Sequence, residues 1–203
     1  MATQTEVANR ALISLGGGII SDLDERSEPA RLCKAALSSV LRQVLRDHPW
    51  NFAERRAVLA RLAEAPIFGF AYAYQLPADF VRVNDFNRDG TSLEDRYRLA
   101  GQQILTDATE ARLTYGALVD VAYFDPLAEE AAAMLLAARV GYSITGQNRA
   151  ATADAMAAYD QVMRQAKARD GQEGSPVVID SSSWRDAQWY GVPIYGDATY
   201  REW

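Results

Sequence analysis

The only histidine of the chain is the first candidate for acid–base chemistry. His48 stands in the stretch HPWNFAERRAVL, residues 48–59. A catalytic histidine needs a second side chain that orients or activates it. The neighbouring Asp47 does not meet this need, because adjacent residues of a helix point in different directions. The pattern therefore favours a structural His48 at the C-terminus of a helix, with its ring near the last helical carbonyls.

The other residues that could do chemistry have simpler structural interpretations. Cys33 lies on the apolar side of a predicted helix, which is typical of a buried cysteine. The glycines 16–18 follow a helix, and no Gly-Lys-Ser or Gly-Lys-Thr follows them, so a phosphate loop is excluded. The acidic residues Asp22, Asp24 and Glu25 lack the glycine and the distal glutamate of a calcium loop. We therefore predict no catalytic, cofactor-binding or metal-binding residues, and no cofactor.

Composition and charge restrict the class of protein. A length of 203 residues fits one domain, or one domain with an appendage, and 49% apolar residues provide for a globular core. No apolar run approaches the roughly 18 residues of a membrane span, and the first residues lack the pattern of a secretory signal. The net charge is −6, and no segment is strongly basic. Tight binding to a nucleic-acid backbone and membrane association are therefore not expected.

The hydrophobic period predicts four helices, at about residues 4–15, 28–47, 126–145 and 149–169. Thr3 or Thr5 is expected to cap the first helix, which ends at the glycines 16–18. Ser27 is the expected N-cap of the second helix, and Pro49 ends it because a proline excludes the preceding residue from the helical region. Asp125, followed by a proline, is the expected N-cap of the third helix.

The middle of the chain, about residues 52–118, has a period of two instead. Apolar residues alternate or cluster in short segments, and the candidate strands include residues 72–76, 81–83, 99, 104–105 and 112–115. The turn signals between them are residues 77–79, 87–90 and Gly116. The charged run 94–98 is expected on an exposed strand or at a subunit contact. This pattern predicts a small antiparallel sheet of hairpins between the helices, and an α+β fold that is mainly α.

The last part of the chain, residues 173–203, differs from the core predicted for residues 1–172. It contains glycine, proline and serine but no helical period, and its aromatic residues include Trp184, Trp189, Tyr190, Tyr195 and Trp203. A solvated disordered tail is normally poor in aromatic residues. We therefore predict an extended C-terminal arm that lies on a surface, its own or that of a partner.

Four blocks follow one another along the chain: ALISLGGGIISDLDERSEPARLCK, LRDHPWNFAERRAVLA, FGFAYAYQLPADFVRV and FDPLAEEAAAMLLAARV. In this order they resemble the tail tubular protein A family of short-tailed bacteriophages, and the related adaptors of other tailed phages and gene-transfer particles. The resemblance spans about residues 5–170. HPWNFA and YQLPADFVRV are its specific parts, and the C-terminal arm is not matched by any motif.

The resemblance implies a structural head-to-tail connector of the virion neck, assembled in the cytoplasm of the bacterial host. In such families a ring of twelve copies lies under the portal protein, a tail nozzle, stopper or tail-tube protein binds below, and the fold is a helical bundle with an inserted β region. DNA passes through the channel without sequence-specific binding, and no catalysis is involved. The alternatives are a neck stopper or tail-terminator protein and, as a different class, a small hydrolase that uses Asp and His48.

Two sets of residues follow from this interpretation. His48 and Pro49 are expected to end the second helix, and Trp50 and Phe52 to fix the turn into the core, so that residues 54–59 begin the β region. The arm is expected to dock on the portal through five aromatic anchors, which are Trp184, Trp189, Tyr190, Tyr195 and Trp203.

Overall fold

A computed structural model describes residues 2–87 and 96–173 of the chain. The chain divides into two compact units, Met1–Gly171 and Gln172–Trp203. The described residues form four α-helices and two small antiparallel sheets, so the predicted α+β, mainly α class is confirmed. The helices are α1 (Gln4–Ser14), α2 (Glu28–Asp47), α3 (Pro126–Ile144) and α4 (Arg149–Glu173).

Local hydrogen bonds define the helix ends. Thr3 is the N-cap of α1: its hydroxyl accepts from the Glu6 amide at 3.2 Å, and the Glu6 carboxylate accepts from the Thr3 amide at 2.7 Å. This capping box satisfies two amides that would otherwise lack a partner. Ser27 and Asp125 cap α2 and α3 through their side-chain oxygens, which accept from the Ala30 and Leu127 amides.

The first helix ends at the glycines, as the sequence predicts. Gly16 has a φ of 72°, a left-handed conformation that glycine adopts without steric cost. The Gly16 amide donates to the Ile13 carbonyl at 2.9 Å, and the Gly17 amide donates to the Leu12 carbonyl at 2.8 Å. These two bonds form a Schellman motif, so the glycine run ends the helix.

The fourth helix is longer than predicted. It continues to Glu173, four residues beyond the expected end at 169, and therefore includes the first residue assigned to the arm. The Asp170 side chain is held by two residues that follow α2, which stabilises the last turns of α4. The five aromatic anchors of the arm lie outside the described residues.

The helical core depends on small residues in α3. Five alanines of this helix are buried, so that α1 and α2 approach it closely: Ala128, Ala131, Ala132, Ala133 and Ala137. The last helix contributes a narrow buried stripe of Ala155, Tyr159, Met163 and Ala166. Because only one side of α4 is buried, most of its surface remains exposed.

The described residues between α2 and α3 form six strands: β1 (Glu54–Val58), β2 (Tyr72–Gln75), β3 (Phe80–Phe86), β4 (Tyr97–Ala100), β5 (Gln103–Thr106) and β6 (Arg112–Ala117). They form two three-stranded antiparallel sheets with the orders β1-β6-β3 and β2-β5-β4. The hairpin expectation holds for β4 and β5, where Gly101 has a φ of 62° at the first turn position. The hairpin prediction is wrong for β6, which pairs with β1 and β3, two strands that come much earlier in the chain.

Gly116 is not a turn residue, and this prediction is wrong. It lies inside β6, opposite Glu54 of β1 and Arg82 of β3. A Cβ atom at this position would lie 3.0 Å from Cγ of Arg82. Any larger residue here would force the Arg82 side chain, which crosses the strand, to shift. The turn at 77–79 is present, since the Phe80 amide donates to the Pro77 carbonyl at 3.1 Å. Of the predicted 87–90 turn and the charged run 94–98, residues 88–95 lie outside the described ranges.

Candidate functional site

The only histidine has a partner that the sequence did not indicate. His48 is the C-cap of α2 and has an extended backbone, with φ −147° and ψ 146°. Its Nε2 lies 2.7 Å from Oδ2 of Asp170, and the two side chains are 14% and 12% exposed. The His48 ring was expected to lie near the last carbonyls of α2. In the structure its hydrogen-bond partner is Asp170 of α4 instead. Asp170 is 122 positions away, and no local spacing pattern points to it.

The same carboxylate binds a second residue of the HPWNFA block. The Asn51 amide donates to Oδ1 of Asp170 at 3.2 Å, and the Asn51 side chain donates to the Asp170 carbonyl at 3.0 Å. One residue of α4 is therefore bonded to the end of α2 and to the short 3₁₀ helix Asn51–Ala53. We call His48, Asn51 and Asp170 the helix latch.

Trp50 fills the space behind the latch. Its side chain is 1% exposed, and its indole Nε1 donates to the Val44 carbonyl at 2.8 Å. The ring stacks on Phe52 with 5.5 Å between centroids, and Phe52 in turn lies 5.2 Å from Phe124 before α3. The predicted junction residues thus join α2, the β region and the segment that leads into α3, while Pro49 lies exposed at the end of α2.

The geometry of the latch differs from that of a hydrolytic triad. In a triad, one imidazole nitrogen meets a carboxylate and the other meets a nucleophile. Among the described residues, His48 makes no hydrogen bond to a hydroxyl or a thiol. Cys33 is fully buried in the helical core, and burial raises the pKa of its thiol. What the arrangement does chemically is hold three segments of the chain together.

Asp170→Ala is expected to lower the free energy of unfolding by about 1–3 kcal/mol, because His48 and the Asn51 amide lose their acceptor. Urea unfolding followed by circular dichroism measures this loss. Asp154→Ala is the matched control, since Asp154 is an exposed residue of the same helix without an ion pair in the described ranges. Its expected effect is within about 0.5 kcal/mol. Equal stability of the two variants would contradict the latch.

Tyr159 makes a second bond between α4 and the end of α2. Its hydroxyl donates to Oδ2 of Asp47 at 2.7 Å. Burial raises the pKa of Tyr159 well above its ordinary value of 10.0, and the hydrogen bond to Asp47 and the Asp47 charge add to this shift. The folded protein therefore keeps the phenol protonated at a pH where the unfolded chain loses the proton.

This difference predicts a stability that falls at alkaline pH. The contribution of Tyr159 is complete below the unfolded pKa near 10 and is lost as the pH rises through the higher folded pKa. Tyr159→Phe should therefore flatten the alkaline part of a plot of unfolding free energy against pH. Tyr142→Phe is the control, because this tyrosine is half exposed. An unchanged alkaline slope in the Tyr159 variant would rule out the predicted linkage.

The acidic residues near α2 act as local caps. The Glu25 carboxylate accepts from the Ser21 amide at 2.8 Å and from its hydroxyl at 2.9 Å, and these bonds lower the pKa of Glu25. Asp22 accepts from the Asp24 amide at 2.7 Å, and Asp24 pairs with Lys34.

In the described part of the chain, no three His, Cys, Asp or Glu side chains are placed to share a metal ion. No described helix is both long and apolar enough to cross a membrane.

The most exposed large apolar side chains of the described residues lie in a loop that no sequence pattern indicated. We call residues 63–70, between β1 and β2, the apolar loop. Ile67 is 98% exposed and Phe68 is 85% exposed. The signal in the sequence was a run of large apolar residues without helical or strand period between Pro66 and Gly69. Exposed apolar side chains that lie together mark interaction surfaces.

The apolar loop is held in place by the second sheet. Gly69 has a φ of 89°, and its carbonyl accepts from the Arg96 guanidinium at 3.3 Å. The same guanidinium pairs with Asp107 at 3.3 Å and lies 4.9 Å from the centre of the Phe70 ring. Asp107 also accepts from the Ala71 amide at 2.9 Å. These contacts attach the C-terminal end of the apolar loop, residues 69 and 70, to the residues that flank β4 and β5.

A second surface feature lies on the helical side of the same unit. We call it the bundle groove, an open depression of about 570 Å³ between α2, the loop before it and the segment after β6. Its apolar wall consists of Leu23, Leu37, Leu41, Leu118, Val119 and Val121. Polar residues of both charges surround this wall: Gln4, Asp24, Lys34, Ser38, Arg42 and Asp120.

The sequence of this chain matches no protein-family model and no curated protein. Its function is therefore inferred from the motifs and from the geometry of the latch and of the exposed surfaces.

Proposed function

We propose that the protein is a structural subunit of a head-to-tail connector, in the neck of a tailed phage or a phage-like particle. Copies of the chain form a ring under the portal protein, a tail nozzle, stopper or tail-tube protein attaches below, and DNA leaves through the channel. The observation that carries this proposal is the insertion of an antiparallel β region between α2 and α3 of a helical bundle. That is the fold which the resemblance implies.

The positions of the two specific motif blocks support the proposal. HPWNFA forms the latch and the buried junction, where the chain passes from the bundle into the β region. YQLPADFVRV, residues 74–83, contains the second half of β2, the following turn and the first part of β3. Within it Asp79 accepts from the Tyr115 hydroxyl at 3.1 Å and from the Leu118 amide at 2.7 Å, and pairs with Arg55. Both blocks therefore contain residues that join elements distant in sequence.

The charge of the chain is compatible with a DNA conduit. A net charge of −6 and the lack of a basic segment give little attraction for phosphates. Because lysine and arginine contacts to phosphates supply most non-specific affinity, a basic channel would retain DNA. A neutral or acidic channel lets DNA slide through without sequence-specific binding.

The proposal is tested by mixing the purified protein with portal complexes and imaging the product by electron microscopy. The expected result is an added ring at the narrow end of the portal. Its symmetry should be that of the twelve-copy ring which the resemblance implies. Portals alone and the protein alone are the controls. A neck stopper or tail terminator would add density only when a separate adaptor ring is already present. Portals that gain no density, either alone or with an adaptor ring already attached, would contradict the connector function in every form.

A further inference from the structure

We propose that α4 is a hinged strap, which opens as one unit about the turn at residues 146–147 while α1, α2 and α3 stay packed. The structure holds the closed arrangement, in which α4 lies against the end of α2. In the open arrangement the latch is broken and the residues that follow α2 are freed. Such an opening depends on the packing of the bundle and not on the connector function.

The turn between α3 and α4 contains a strained residue. Gly146 and Gln147 both have left-handed backbones, with φ of 64° and 72°. Glycine adopts this conformation freely, whereas a residue with a Cβ atom is strained there. Among the described residues, Asn87 is the other non-glycine residue with a positive φ, and asparagine tolerates this region better than glutamine. Gln147 is therefore a position where the closed arrangement stores strain.

The ends of two helices impose this conformation on Gln147. Its amide donates to the Tyr142 carbonyl at 2.8 Å, the bond that closes the C-terminus of α3. The next residue, Asn148, caps α4, since its side-chain oxygen accepts from the Ala150 amide at 3.0 Å. The Gln147 side chain is exposed and makes no hydrogen bond within the described ranges, so no contact of its own offsets the strain. A change of the backbone dihedral angles at this turn releases the strain and moves α4 at the same time.

The apolar packing of α4 is limited. Four of its described side chains are buried: Ala155, Tyr159, Met163 and Ala166. By comparison, α2 has seven buried residues and α3 has ten. Because two of the four are alanines, α4 buries little apolar surface for a helix of 25 residues. An element with few buried apolar contacts opens locally at a lower free energy than the whole domain needs to unfold.

The polar contacts of α4 with other elements lie at one end of α2. Asp47 accepts from the Tyr159 hydroxyl, and the latch joins Asp170 to His48 and Asn51. Water replaces each of these hydrogen bonds when α4 opens, so each adds little net free energy. At 1.5 Å per residue, the latch lies roughly 30 Å along α4 from the turn. The helix is therefore held at two separated points, a strained turn and a polar latch, with a narrow apolar stripe between them.

Thiol labelling of the native protein tests the strap. Met163→Cys places a thiol in the buried stripe of α4, and Ala166→Cys serves as a second probe in the same stripe. The natural Cys33 is fully buried in the helical core and reports the opening of that core. A maleimide labels both thiols, and mass spectrometry of the digested protein gives each rate. The introduced thiol should react roughly tenfold or more faster than Cys33, because a local opening needs less free energy than global unfolding.

A change in the core separates local opening from global unfolding. Val7 is fully buried in α1, which packs on α3. Val7→Ala should raise the labelling rate of Cys33 roughly tenfold or more, because buried apolar groups are lost from the core. The rate of the introduced thiol should stay the same, since the core is intact in both arrangements of α4.

Gln147→Gly tests the hinge. This change relieves the strain of the closed arrangement, so the introduced thiol should react roughly two- to fivefold more slowly, after glycine's greater freedom in the open arrangement is subtracted. Gln161→Gly is the matched control on the exposed side of α4. Helical backbone gains nothing from glycine, so this variant should not slow the labelling.

Three results would each overturn the strap. The first is an equal labelling rate for the introduced thiol and Cys33. The second is a Val7→Ala variant that accelerates both thiols by the same factor, since α4 would then open only when the whole domain unfolds. The third is a Gln147→Gly variant that labels as fast as its parent or faster, since the turn would then not be the hinge.

Discussion

Trp50→Ala is expected to lower the free energy of unfolding by about 3–5 kcal/mol, the range for a fully buried tryptophan. The change removes the ring that stacks on Phe52 and leaves the Val44 carbonyl without its indole donor. It also opens a cavity between α2, the β region and the segment before α3. For a chain of this size the loss corresponds to a fall in melting temperature of roughly 6–20 °C.

Thermal and urea unfolding followed by circular dichroism measure this effect. Tyr123→Ala is the matched control, because this aromatic side chain lies close in sequence to Phe124 but is 67% exposed. Its expected effect is within about 0.5 kcal/mol. If Trp50→Ala melts like the wild type, then the HPWNFA block does not form the structural junction described here.

The helices were predictable because their ends depend on local chemistry. A capping residue satisfies the amides of the first turn, and a glycine or a proline excludes the helical conformation at the last turn. Thr3, Ser27 and Asp125 cap the helices at positions that the sequence indicates, and Gly16 and His48 mark two C-termini. Where such a signal was lacking, at the end of α4, the boundary was missed by four residues.

The pairing of the strands was not predictable in the same way. A period of two identifies a strand but not its neighbour, and only the β4–β5 hairpin has a turn that specifies pairing. The position of β6 between β1 and β3 depends on contacts between segments far apart in sequence. Gly116 illustrates the difference: a glycine signals freedom for the backbone, but whether it serves a turn or a crossing side chain depends on Arg82.

The candidate site was partly predictable. The junction role of the HPWNFA block followed from a proline after a helix and from two aromatic residues beside it. The partner of His48 did not, because an aspartate on a predicted helix 122 positions away has no local signature. The apolar loop was missed because it has no period. Periodicity identifies residues that face a core, whereas the exposed residues of a docking loop follow the shape of a partner.

Deletion of residues 175–203 is expected to abolish attachment to the portal while the helical fold remains. The deleted segment contains all five predicted anchors: Trp184, Trp189, Tyr190, Tyr195 and Trp203. An aromatic hot-spot residue contributes about 2 kcal/mol or more to an interface, so the loss of several corresponds to more than roughly a thousandfold in affinity. The buried residues of the described core end at Ala166, which the deletion retains.

The truncated chain also provides its own control of folding. Three of the four tryptophans are removed, so Trp50 becomes the only one and its fluorescence reports the buried junction alone. The core is intact if the truncated protein unfolds cooperatively by fluorescence, with the same midpoint that circular dichroism gives for the full-length protein. Affinity for portals is then measured by co-sedimentation. A truncated protein that folds and still joins portals with wild-type affinity would exclude the arm as the portal-binding element, and the contact would have to lie within the bundle or the β region.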